Sequence, residues 1–242
     1  MAEHLVYTER VGGSSPSPPT VALALAALLL FGRASAQTPP GRCVEPRPSP
    51  EGPGWYELFD GKTLSGWRGN NDLFAVENGA IVAFRRAPFD FGYLFYVGCL
   101  NGAVFRDFEL KADIVQEANS NSGVVFHTEW QIKNFLEKGQ QVQVATDPGQ
   151  ARRTGSLYHL QDVLKGDAAK PGEPYTLHIL VQGKRVQVRV DGRKLVDYVE
   201  PDEMKLSWER RRLSSGAFAL EAHGGRTHYR SVRVRPLPAA AP

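Results

Sequence analysis

From Trp55 onward, apolar and polar residues alternate with period two or give way to short runs rich in β-branched and aromatic residues. The runs are LFAV (73–76), AIVAF (80–84), YLFYV (93–97), FELKADIV (108–115), SGVVFHTEWQI (122–132), QVQVA (141–145), YTLHILV (175–181), RVQVRV (185–190), KLVDYV (194–199), AFALEAH (217–223) and YRSVRVR (229–235). A strand points successive side chains to opposite faces, so this period implies sheets with one buried face. Asn78-Gly79 and Asp191-Gly192 are tight-turn dipeptides between such runs, and Gln182-Gly183-Lys184 makes a third short connection. The hairpins imply antiparallel sheets. About eleven strands in some 180 residues predict an all-β fold, a two-sheet antiparallel jelly-roll sandwich. Residues 133–140 and 203–213 are expected to hold short helices.

The alternation also assigns faces. Phe108, Leu110, Ala112 and Ile114 point one way, while Glu109, Lys111 and Asp113 point the other. Phe126, Trp130 and Ile132 are expected to share a face, opposite a polar row of His127, Glu129 and Gln131. Near the C-terminus, Phe218, Leu220 and Ala222 alternate with Ala219, Glu221 and His223. If both polar rows line one sheet face, two imidazoles and two carboxylates converge. The predicted interior is Phe108, Leu110, Phe126, Trp130, Leu177, Ile179, Phe218 and Leu220.

Residues 1–36 read as an export signal. The run VALALAALLLF (21–31) is followed by Ala34-Ser35-Ala36, a small-x-small pattern with cleavage expected after Ala36. Eleven apolar residues fall short of the ~20 that a membrane span needs, so no stable span is expected once the signal is removed. The implied location is periplasmic or extracellular. Residues 37–54 carry six prolines and read as a stiff tether, followed by a domain over 55–237 and a tail, 238–242, expected to be disordered. The chain has two cysteines, Cys43 and Cys99. They either pair, as an oxidising compartment allows, or stand as a tail thiol and a small buried hydrophobe.

The balance of 29 Lys+Arg against 26 Asp+Glu gives a net charge of +3, with no basic segment interleaved with aromatics, so nucleic acid is not an expected partner. The run Glu209-Arg210-Arg211-Arg212 reads as a solvated turn.

Five segments in order resemble the 3-keto-disaccharide hydrolase domain family: YELFDGKTLSGWRG (56–69), NSGVVFHTEWQI (121–132), TGSLYHL (154–160), GKRVQVRVDGRKLVDY (183–198), and LEAHGG followed by YRSVRVRPL. The resemblance runs from about Trp55 to Leu237. It implies a concanavalin-like jelly roll, usually exported, acting on sugars oxidised to the ketone at C3. Where the family commonly has Arg, this chain has His127; Glu221 stands for a Gln, and Ala222 for an acidic residue.

A C3 ketone acidifies the C2 hydrogen. A base can remove it, the enolate can expel the C1 oxygen, and water adding to the enone completes a net hydrolysis. The chemistry needs a base, an enolate stabiliser and a proton donor. The expected catalytic residues are His127, Glu129 and His223, with Gln131, Tyr158 and Glu221 binding substrate. A cofactor is either not required or is a divalent metal held by His and Glu. The alternative is a carbohydrate-binding jelly roll without turnover. His178, His159 and His228 read as structural, and Tyr158 as either a sugar-stacking ring or a core plug.

Overall fold

The computed structural model describes residues 43–88, 90–131, 136–207 and 211–239. The predicted signal segment 1–36 lies outside these residues. Among them are fourteen strands: β1 (Arg47–Pro48), β2 (Tyr56–Glu57), β3 (Trp67–Gly69), β4 (Phe74–Glu77), β5 (Ala80–Phe84), β6 (Gly92–Tyr96), β7 (Phe108–Gln116), β8 (Asn121–Thr128), β9 (Gln140–Ala145), β10 (Pro174–Gln182), β11 (Arg185–Val190), β12 (Arg193–Val199), β13 (Ala217–Ala222) and β14 (Arg226–Pro236). All pair antiparallel in two sheets. One has the order β1-β2-β14-β7-β10-β11-β12, with β5 attached to β14 and β4 to β5; the other is β3-β6-β13-β8-β9. This is the two-sheet sandwich that the alternation predicts.

Each of the eleven runs holds a strand, and β1 to β3 are too short to show a period. The Asn78-Gly79 and Asp191-Gly192 turns have positive φ at both residues (49° and 77°, 48° and 77°), the backbone of type I′ hairpins. The described parts of 133–140 and 203–213 hold no helix; residues 132–135 and 208–210 lie outside the described residues.

The core fills the space between the sheets. Leu110, Ala112 and Ile114 of β7, Leu177 and Ile179 of β10, Val124 and Phe126 of β8 and Leu220 of β13 are fully buried there. Phe218 stacks on Phe105 at 4.5 Å and meets Phe108 edge-on at 4.8 Å. Truncating such a side chain to Ala costs about 3–5 kcal/mol.

Trp130 departs from the predicted interior. His127 has φ +55°, and the β13–β8 register shifts opposite it, between Ala217 and Ala219. A left-handed residue ends the period-two alternation, so Trp130 no longer follows Phe126 into the core. It packs instead with Tyr93, Phe95 and Val125 on the outer face of the smaller sheet, with the Arg68 guanidinium 3.6 Å from its ring centroid.

The described part of the proline-rich segment, 43–54, is not a free tether. β1 pairs with β2, the Ser49 N–H donates to Trp55 O at 2.9 Å, and Glu51 forms ion pairs with Lys111 and, at 3.0 Å, with Arg233. Cys43 and Cys99 form a disulfide that anchors the start of this segment beside the turn at Leu100–Ala103. The bond spans 56 residues of sequence, a loop whose closure stabilises a fold by roughly 4 kcal/mol on the chain-entropy model. Replacing both cysteines by serine should therefore lower the unfolding free energy by that order, seen as a lower urea midpoint, with native mass spectrometry of the parent showing no alkylatable thiol. Two free thiols, or an unchanged midpoint, would count against the staple.

Candidate functional site

A cleft of about 490 Å³ opens on the outer face of the smaller sheet. Its floor is set by the strand alternation. Leu220 and Ala222 of β13 enter the core, so Glu221 and His223 face outward; Val142 and Val144 of β9 do the same for Gln141 and Gln143. Tyr93 of β6 lies opposite Glu221 in register.

Glu221 is buried at 5% exposure, and a buried carboxylate needs donors. The Tyr93 hydroxyl donates to Oε1 at 3.3 Å and the Gln141 amide to Oε2 at 2.9 Å. His223 Nδ1 lies 3.7 Å from Oε1. The Gln141 amide crosses Gly123, where a Cβ would come within 2.7 Å of it, so glycine opens its route to Glu221. Gln143 extends the polar row by donating to Asn121 Oδ1 at 2.8 Å.

His223 is half-exposed at the cleft wall, and the Phe91 ring lies 5.8 Å from its ring. The Glu221 carboxylate beside it raises its pKa above the ordinary histidine value, against the opposing pull of burial. Burial pushes the Tyr93 phenol far above its usual range, and Glu221 adds to the shift. Tyr93 therefore remains a hydrogen-bond donor.

The loop after β9 supplies a second wall through Gln150, Tyr158 and His159. Arg152 organises it. Its Nε donates to Asp162 at 2.9 Å, its guanidinium lies 4.8 Å from the centroid of the Tyr158 ring, and its Nη2 contacts His159 Nδ1 at 3.0 Å. Arginine can only donate, so that ring nitrogen accepts. His159 sits at φ +61°, uncommon for a non-glycine residue. Arg211 lines the cleft as well, donating to the carbonyls of Leu136 and Gly139.

Of the six residues expected at a site, Glu221, His223 and Tyr158 line this cleft, and His127, Glu129 and Gln131 do not. The row expected on β8 does not form, because the left-handed backbone turns His127 inward. Its Nδ1 accepts from the Ser214 N–H at 3.2 Å, so Nε2 donates to Arg106 O at 2.8 Å. Both ring nitrogens are spent inside the fold. Glu129 is exposed and pairs with Lys138 at 3.2 Å, while Gln131 Oε1 accepts from the Glu137 N–H at 3.1 Å. Sequence reasoning missed Tyr93, Gln141, Gln143, Asn121 and Arg211; the alternation in QVQVA carried the signal for the two glutamines.

The cleft's own side chains are a poor cage for a resident metal. They offer two imidazoles, His223 and His159, and one carboxylate, which do not gather as a three-ligand group among the described residues; His159 Nδ1 accepts from Arg152, and the Glu221 oxygens accept from Tyr93 and Gln141. The described three-ligand group is Cys43, Glu45 and Cys99, with both sulfurs in the disulfide.

The model of the 3-keto-alpha-glucoside-1,2-lyase-like domain family matches residues 54–235. No curated protein matches the sequence. Among solved structures, the fold is similar to two candidate glycosyl hydrolases from Parabacteroides distasonis. One aligns with TM-score 0.63 at 22% identity, over 76% of this chain and 94% of that one. The second aligns with 0.59 at 19%, over 76% and 99%. The exoplasmic/lumenal domain of VIP36, bound to Ca2+ and Man3GlcNAc, aligns with 0.52 at 10%, over 78% and 90%. These likenesses show the fold.

His127 carries a testable consequence. Burial pulls its pKa from 6.5 down to about 4. The unfolded chain then binds the proton more readily, so the stabilisation is complete above pH 6.5 and is lost as pH falls through about 4. Its size is on the order of 3 kcal/mol. Urea midpoints measured from pH 7.5 down to 4 should fall for the parent and fall less for His127→Gln. Equal slopes in the two would contradict this role.

Proposed function

Since residues 54–235 match its model, the chain belongs to the 3-keto-alpha-glucoside-1,2-lyase-like domain family, and on that premise we propose that it cleaves 3-keto-glycosides by elimination followed by hydration. The observation that supports this reading is the His223–Glu221 pair at the wall of the cleft. Glu221 can only accept, which favours the tautomer with hydrogen on His223 Nδ1 and leaves Nε2 as the base. That nitrogen takes the C2 proton of the substrate. The electron pair forms the enolate through the C3 carbonyl and then the C1=C2 bond, as the C1–O bond breaks and the leaving oxygen takes a proton. Water adds at C1, and C2 regains a proton. Tyr93 and Gln141 hold Glu221, and Glu221 holds His223. Tyr158, Gln143 and Asn121 supply ring and amide contacts to the sugar.

No helix among the described residues is long and apolar enough to cross a membrane. The signal-like segment 1–36 and the Cys43–Cys99 bond support an exported protein, since disulfides persist in oxidising compartments. The polar row Asn121–Gln143–Gln141 also suits a second reading, a module that binds carbohydrate without turnover.

The full chain should release the aglycone from a 3-keto-glucoside and leave the parent glucoside intact, as followed by NMR. His223→Ala should cost about a hundredfold or more in turnover. A base must be neutral, so kcat/KM should rise as pH climbs through the His223 pKa, which Glu221 holds above the ordinary value. Glu221→Gln should move that rise to lower pH. Sugar binding without product would select the binding module, and an unmoved profile would remove Glu221 from its role.

A further inference from the structure

Arg211 and Arg212 of the basic run do not share one solvated turn; Glu209 and Arg210 lie outside the described residues. Arg212 pairs with Glu200 at 3.2 Å and donates to the carbonyls of Pro201 and Asp202. Arg211 turns into the cleft. Of its five N–H donors, one on each terminal nitrogen is spent, on Gly139 O at 3.1 Å and on Leu136 O. No carboxylate faces it among the described residues, and burial pulls its pKa below the ordinary guanidinium value. The two carbonyls need donors, not a charge, and a neutral amide would serve them. A half-buried cation without an anion is costly unless something else supplies the anion.

The other charges of the cleft do not supply it. Its lining carboxylate is Glu221, whose oxygens accept from Tyr93 and Gln141 and lie beside His223. Arg85 adds a further positive charge near His223. The described lining therefore carries an unanswered positive charge with N–H donors in hand, the arrangement that receives a carboxylate.

We propose that Arg211 is the carboxylate-binding residue of the cleft, and that the chain acts on acidic glycosides, with the carboxylate on the sugar or on the group it carries. This names the substrate class and rests on the reading of the cleft as the sugar site. It is tested by binding alone, with sugars that have not been oxidised, so its failure is separate from a failure of turnover. Calorimetry on the full chain compares methyl glucuronoside with methyl glucoside, in both anomers, and 4-carboxyphenyl glucoside with phenyl glucoside. The acidic member of at least one pair should bind at least ~10-fold tighter, and the responding pair shows where the carboxylate sits. The preference should shrink as salt is raised. Arg211→Gln should bring the two affinities of that pair level while circular dichroism stays that of the parent, and Arg211→Lys should keep part of the preference. If Arg211→Gln does not fold, the parent and the lysine variant decide. No preference for the acid in either pair, or a preference that survives Arg211→Gln, overturns the proposal.

Discussion

One buried carboxylate organises the smaller sheet. Glu221 lies in the middle of that sheet at 5% exposure, and a charge withdrawn from water must be met by donors on every side. The fold meets it with Tyr93 from the strand opposite, Gln141 reaching over Gly123, and His223 two residues along. Each of these is fixed by the same alternation that sends Leu220, Ala222 and Val142 into the core. The cleft is thus the outer side of the packing between the sheets: the residues that satisfy Glu221 are the ones that line it.

Much of this was legible in the sequence because a strand's faces follow from counting by two. The eleven runs and the outward placement of Glu221 and His223 come from that period, and the two tight turns from their Asn-Gly and Asp-Gly dipeptides. The readings that failed did so where the period breaks. His127 is a non-glycine residue at φ +55°, and nothing in HTEW announces it. Once it turns, the residues after it lose the phase on which the Glu129–Gln131 row and a buried Trp130 depended. The docking of 43–54 was illegible for another reason. Its contacts are a disulfide, a two-residue strand and ion pairs to distant strands, none of which leaves a local pattern. Arg211 was read with its charged neighbours, yet its environment is set by loops that come together only in the fold.

The division of labour between two histidines follows from their surroundings. His127 is enclosed, with both nitrogens engaged and its charged form disfavoured. His223 is half-exposed, with a carboxylate that favours the proton. The same side chain serves as a packing element in one place and, in the mechanism we propose, as a base in the other, because burial and a neighbouring charge act on it in opposite directions.

The central claim is that the C–H bond at C2, rather than the glycosidic bond itself, is what the cleft attacks. Cleavage of a 3-keto-glucoside in D2O, followed by NMR against a control without protein, separates the two. Elimination and hydration place deuterium at C2 of the released sugar, because that carbon loses its hydrogen to the base and regains one from solvent. Release of the sugar with its original hydrogen still at C2 would contradict the account.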